Sequence, residues 1–132
     1  MKHNKTRKNY FGLTFISTSD DTNGQYFFSE TTIPAGDPGP PLHFHSKENE
    51  SFYLKKGKLL FNVNGKEFEL TEGENLIVEK GEKHTWKNLS ATDAELIIIF
   101  TPPGIENMFI ELEEDFGHIK EIGLKYGTEF LI

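Results

Sequence analysis

The chain has 132 residues, 36% of them hydrophobic and 13% aromatic, and a formal net charge of −7 with a single arginine, Arg7. That length supports one domain around one core, and the acidic balance argues against a nucleic-acid partner, which needs a clustered basic surface. There is no cysteine; disulfides, thiolate metal ligands and a cysteine nucleophile are excluded, so any metal must be held by imidazole and carboxylate.

Residues 1–9 are basic and polar and read as a mobile tail. The apolar stretch that follows is short, is broken by Gly12 and Thr14, and leads into "TSDDTN", so it reads as a first strand, Tyr10 to Thr18, rather than a secretion signal. No run of 18 apolar residues suggests a membrane span. With neither signal nor span, the expected location is the cytoplasm. Gln25 to Ile33 reads as the next strand and ends at "PAGDPGPP". Leu42 to His45, Glu50 to Lys55 and Lys58 to Val63 follow. Asn64-Gly65 predicts a tight hairpin turn, because both residues tolerate positive φ, and Lys66 to Leu70 returns from it. Asn75 to Glu79, His84 to Asn88 and Glu95 to Thr101 complete the series. Many short strands between turn residues predict an all-β sandwich or barrel.

The run "LIIIF" at 96–100 is apolar on both faces, so its outer face needs cover from a sheet, a helix or another subunit. After Pro102-Pro103-Gly104 the period changes. Ile105, Met108, Phe109 and Leu112 form a helical stripe. Glu106 suits the positive end of that helix. Glu111, Glu113, Glu114 and Asp115 crowd its other end, so the helix must depend on packing. A second short helix is expected over His118 to Lys125, and "YGTEFLI" as an edge strand.

Two histidines one residue apart carry the first chemical signal. On a strand, His43 and His45 point to one face and Phe44 to the other. Glu50 opens the next strand after the turn "SKEN", where its carboxylate can lie beside both imidazoles. Two neutral nitrogen donors and a carboxylate suit a divalent first-row metal. Alone, the segment reads equally as a histidine-bearing loop with a solvated glutamate. A second segment, "GENLIVEKGEKHTWKN" at 73–88, places His84 at the start of another strand as a fourth donor.

At these positions the chain resembles the cupins. That family's first motif is G-x5-H-x-H-x3–4-E-x6-G, which His43, His45, Glu50 and Gly57 fit. Its second is G-x5-P-x-G-x2-H-x3-N, which Gly73, Gly81, His84 and Asn88 fit at every spacing. Glu79 stands where the second motif has proline. The leading glycine of the first is off register, Gly36 being one residue too far from His43 and Gly39 too close. Glu48 is a nearby carboxylate, but the spacing favours Glu50. "PPLHFHSKENESFYLKKGKLLFNVNGKEFEL" and the tail segments "TPPGIENMFIEL" and "KYGTEFL" look similar to small single-domain cupins described as quercetin 2,3-dioxygenase-like, over roughly residues 24–131.

The resemblance implies a cupin-type antiparallel β-barrel, also called a double-stranded β-helix or jelly roll, with a short C-terminal helical segment. The expected domain runs over 10–132, with the barrel at about 24–101 and the helices at about 104–126. His43, His45, Glu50 and His84 would hold one divalent transition metal ion, Fe, Mn, Ni, Co, Cu or Zn. The implied activity is a metal-dependent dioxygenase acting on a small aromatic, flavonol-like or diketone substrate, with Glu50 taking a proton from its hydroxyl. A non-enzymatic metal- or small-molecule-binding protein and a metal-dependent isomerase are the alternatives, because one fold hosts many chemistries.

Strand parity places Phe52 and Leu54 on the Glu50 face and Trp86 on the His84 face, as candidates for a ligand pocket together with Phe61 and Phe100. Barrel filling is the competing role for each. His3 and His118 fit neither motif and read as surface residues. The lack of a second arginine disfavours bidentate capture of carboxylate or phosphate. A homodimer is expected from the two-faced strand and from the outward Phe44.

Overall fold

The computed structural model describes residues 1–5 and 7–132. Among the described residues, eleven strands form two antiparallel sheets that face each other as a jelly roll. The six-stranded sheet has the order β1 (Lys8–Tyr10), β2 (Leu13–Ser17), β3 (Phe27–Ile33), β10 (Ala94–Thr101), β5 (Asn49–Lys56) and β8 (Asn75–Val78). The five-stranded sheet has the order β11 (Thr128–Phe130), β4 (His43–His45), β9 (His84–Lys87), β6 (Lys58–Val63) and β7 (Lys66–Thr71).

The expected first strand, Tyr10 to Thr18, is instead a hairpin. Phe11 and Gly12 both take positive φ, 53° and 82°, and reverse the chain so that Tyr10 pairs with Leu13 and Lys8 with Phe15. An aromatic residue at positive φ gives no turn signal in sequence. Tertiary contacts hold it there: the Phe11 ring lies 5.5 Å from that of Phe116, and its N–H donates to Glu113 Oε2 at 3.0 Å. Strand β1 therefore begins inside the stretch read as a tail, of which residue 6 lies outside the described residues. After β2 the chain makes a short helix, α1 (Ser19–Thr22). Asn64 and Gly65 form the expected turn, with φ of 53° and 84°, and set the β6–β7 register through Val63 opposite Lys66.

Alternation along the strands builds the core. In β5, Glu50, Phe52 and Leu54 point inward and are buried, while Tyr53 and Lys55 are exposed. In β10, Leu96, Ile98 and Phe100 are buried, and Ile97 and Ile99 are half-buried on the outer face. Register places Phe28 and Ser51 beside Ile99, and Glu30 and Tyr53 beside Ile97. Phenylalanines carry much of the interior: Phe27 packs edge-on to Phe15 at 4.8 Å and parallel to Phe100 at 5.9 Å. Each such ring contributes about 2–3 kcal/mol by leaving water.

Helix α2 (Glu106–Glu114) buries Met108 and Leu112 against the barrel, with Ile105 just before it, as the helical stripe predicts. Its acidic residues are used in tertiary contacts. Glu106 is buried and accepts hydrogen bonds from the N–H groups of Gly104 (2.5 Å) and Ser19 (2.8 Å), tying the helix start to α1. Glu111 pairs with Lys125 at 2.6 Å and accepts from the Tyr126 hydroxyl, which pushes that phenol up to about 12. A single 3-10 turn (Phe116–His118) leads into α3 (Ile119–Lys125). Strand β11 then lies at the edge of the second sheet, beside β4. No described helix is long and apolar enough to cross a membrane.

Candidate metal centre

The fold brings four side chains from three strands to one point. His43 and His45 project inward from β4, and Phe44 between them faces out, half-buried. His84 opens β9 directly opposite His43 across the antiparallel pair. Glu50 enters from β5 in the other sheet. All four residues are buried, and one ligand atom from each lies within 4.8 Å of the others. This is the group the two sequence segments predict. Glu48, two residues from Glu50, is buried but outside the group, and burial raises its carboxyl.

The outer nitrogen of each imidazole is fixed. His43 Nδ1 lies 2.8 Å from the Pro41 carbonyl, and His84 Nδ1 lies 2.9 Å from the Glu82 carbonyl. A carbonyl only accepts, so both Nδ1 atoms carry hydrogen and both Nε2 atoms turn inward. His45 Nδ1 lies 2.7 Å from the Thr128 hydroxyl, a buried partner supplied by β11. Inside, His84 Nε2 is 2.9 Å and His45 Nε2 is 3.1 Å from Glu50 Oε1. The first is a hydrogen bond. The second is a close approach without the alignment to share a hydrogen, and His45 Nε2 is left as a buried nitrogen with no partner. Such a group is costly unless something occupies the space it faces.

Electrostatics point the same way. Burial pushes the His43 imidazole down to about 3, helped by the neighbouring histidines, so it is a neutral donor. Burial acts to raise the Glu50 carboxyl, but the charges and hydrogen bonds of His45 and His84 outweigh it and hold it at about 2. Burial is the largest single effect on His84 and lowers it, but the hydrogen bonds and charges of Glu50 and Glu82 together outweigh it, so its net shift is upward. The proton that His84 and Glu50 share sits where a cation would replace it. Three inward nitrogens, one of them orphaned, and one ionised carboxylate fit a divalent transition metal ion.

The group opens into a cavity of about 310 Å³. Of the candidate pocket residues, Trp86 and Phe100 line it. Phe52, Leu54 and Phe61 do not; they are fully buried in the closed part of the barrel, with Phe52 against Phe61 at 5.1 Å and Trp86 at 5.4 Å. Phe52 and Leu54 share the Glu50 face of β5 but lie further along the strand, and Phe61 faces them from β6, paired with Trp86. The cavity extends instead toward β3 and the far side of the six-stranded sheet. Met108, Phe109 and Leu112 make α2 a wall of the cavity as well as a cover for the barrel. The hairpin tip at Phe11 and Gly12 and the loop residues Asp37 and Pro40 complete it. The helical stripe marks Met108 and Phe109, but Phe11, Gly12, Asp37, Pro40 and Thr128 carry no signal in the sequence that marks them for the site. His118 is exposed and pairs with Asp115 at 2.7 Å, well apart in role from the buried group.

The model of the cupin domain family matches residues 29–100, more than half of the chain, and the chain belongs to that family. It is 30% identical over 77 residues to an oxalate-binding protein of Thermotoga maritima, covering 58% of this chain and 63% of that protein. It is 26% identical over 105 residues to quercetin 2,3-dioxygenase of Bacillus subtilis, covering 79% of this chain and 31% of that protein. The chain spans less than two thirds of either relative's length. Among solved structures, a predicted oxalate decarboxylase of Thermotoga maritima superposes with a TM-score of 0.63 at 25% identity, covering 67% of this chain and 76% of that one. The protein is thus a jelly-roll cupin with a buried His-His-Glu-His group able to bind a metal ion.

Proposed function

We propose that the protein is a metal-dependent dioxygenase acting on a small aromatic, flavonol-like or diketone compound. The observation that carries this reading is the opening of the four-ligand group into a mostly apolar cavity. Likeness to quercetin 2,3-dioxygenase over 79% of this chain supports it. His43, His45, Glu50 and His84 would hold the ion, one of Fe, Mn, Ni, Co, Cu or Zn. When bound, it supplies Lewis acidity toward a substrate hydroxyl and access to dioxygen chemistry. The protein's own part is distinct. The carbonyls of Pro41 and Glu82 and the Thr128 hydroxyl keep the three rings turned inward. Glu50 would accept the proton of a substrate hydroxyl made more acidic by the ion, which supplies the compensating charge. Trp86, Phe100 and Phe109 hold the flat substrate and exclude water.

A binding protein without chemistry is the second reading, favoured by the likeness to an oxalate-binding relative. Oxygen uptake by metal-loaded, untagged protein on addition of a flavonol or a diketone separates the two. Uptake that disappears in His43→Ala and His84→Ala but persists in His118→Ala is expected. Loaded protein that binds these compounds and consumes no oxygen refutes the dioxygenase reading. We also infer a homodimer, supported by the half-buried Ile97 and Ile99 and the exposed Tyr53 on the outer face of the six-stranded sheet.

A further inference from the structure

Among the described residues that line the cavity, two are acidic, Glu50 and Asp37, and none is lysine or arginine. Asp37 belongs to the loop between β3 and β4, which is laid along β9. Its carbonyl accepts the N–H of Asn88 at 2.9 Å, the Pro40 carbonyl accepts the Thr85 hydroxyl at 2.6 Å, and Gly39 sits directly against the Trp86 backbone. Asn88 stands four residues beyond His84, about 13 Å of extended chain from it. Glu50 is thus in the metal group, and Asp37 is a wall residue held by its backbone beside the far end of β9.

We propose that Asp37 is a specificity determinant that admits neutral, hydroxyl-bearing aromatic ligands and turns away those that carry a carboxylate. The proposal rests on the functional reading above and narrows its substrate class. With a divalent ion beside Glu50, that pair carries one net positive charge and Asp37 one negative, so the cavity as a whole is neutral. A neutral ligand keeps it so, and a hydroxyl at its far end donates to the Asp37 carboxylate. A dianion such as oxalate leaves two negative charges uncompensated in a cavity with no cationic side chain. A carboxylate at the far end of an aromatic ligand meets Asp37 directly, and like charges repel strongly in such surroundings.

The test is binding, measured by isothermal titration calorimetry on zinc-loaded protein. Zinc has no redox chemistry, so nothing turns over during the titration. The probes are 2,3-dihydroxynaphthalene, its carboxylate analogue 3-hydroxy-2-naphthoate, and oxalate. The neutral diol is expected to bind at least about tenfold more tightly than either anion. Asp37→Asn and Asp37→Ser, which keep the backbone carbonyl bonded to Asn88, are expected to shrink that preference at least about threefold while leaving metal content unchanged. Equal or tighter binding of the anions, no binding of the diol, or an unchanged preference in both folded variants overturns the proposal. Oxygen uptake is read separately: a diol-selective protein that consumes no oxygen sinks the dioxygenase reading alone.

Discussion

Gly39→Ala tests how the cavity wall is held. Gly39 has φ of +81°, and a Cβ added there lies 1.5 Å from the Trp86 carbonyl oxygen and 2.7 Å from its carbonyl carbon. Both atoms are backbone within a paired strand, so the loop must retreat. Retreat removes the bonds from Asn88 N–H to the Asp37 carbonyl and from the Thr85 hydroxyl to the Pro40 carbonyl. Positive φ for a residue with a Cβ costs about 1–2 kcal/mol, and each lost bond about 1 kcal/mol. The sum is about 3–4 kcal/mol, or a fall in melting temperature of about 10–15 °C for a domain of this size. Gly36→Ala is the control: its φ is +77°, yet nothing lies within 4 Å of its added Cβ. It should cost only the conformational part, about 1–2 kcal/mol. Thermal and urea unfolding of metal-free protein measure both, and the fluorescence of the sole tryptophan, Trp86, reports the wall directly. Equal losses in the two variants, or a Gly39→Ala loss below about 1 kcal/mol, refute the close approach as the cause.

Metal-free protein should lose stability as pH falls below 6.5, because His43 stays neutral down to about 3 while the unfolded chain takes up that proton. The slope is about 1.4 kcal/mol per pH unit for one proton, and urea midpoints between pH 6.5 and 4.5 in wild type and His43→Asn read it. A flat wild-type profile, or an unchanged slope in His43→Asn, contradicts the burial of a neutral imidazole. His84 acts in the opposite sense. Its raised value contributes stability that is fully present below 6.5 and lost as pH rises through the folded value. Glu50 contributes stability above 4.5 that is lost as pH falls toward about 2. Thr128→Val removes the group that orients His45 and should weaken metal binding about 10- to 100-fold in chelator competition; unchanged affinity would show that Thr128 only fills space. Sedimentation should place the wild type at twice the chain mass and Ile97→Asp at the mass of one chain. A monomeric wild type removes the dimer.

Strand periodicity put His43 and His45 on one face, and the spacing of the two motifs that the chain shares with the cupins marked Glu50 and His84 beside them. The hairpin turn at Asn64-Gly65, the helical stripe and the closing edge strand were legible for local reasons. The Phe11–Gly12 turn was not, because long-range contacts with Glu113 and Phe116 hold an aromatic residue at positive φ. The pocket was only half legible. Parity says which side of a strand faces in, and it placed Trp86 on the face that lines the cavity. It does not say how far along the barrel the interior stays open, and Phe52, Leu54 and Phe61 fill the closed part.

By itself the sequence determined the absence of thiol chemistry and the alternation that builds two facing sheets, both local properties, and it marked the donors through two separated motifs. Only the tertiary structure decided what orients and surrounds those donors. Thr128 reaches His45 from 83 residues away, and the Asp37 loop is held by a strand about 50 residues further on. Contacts of that span depend on how the sheets close on each other, and no local pattern encodes them.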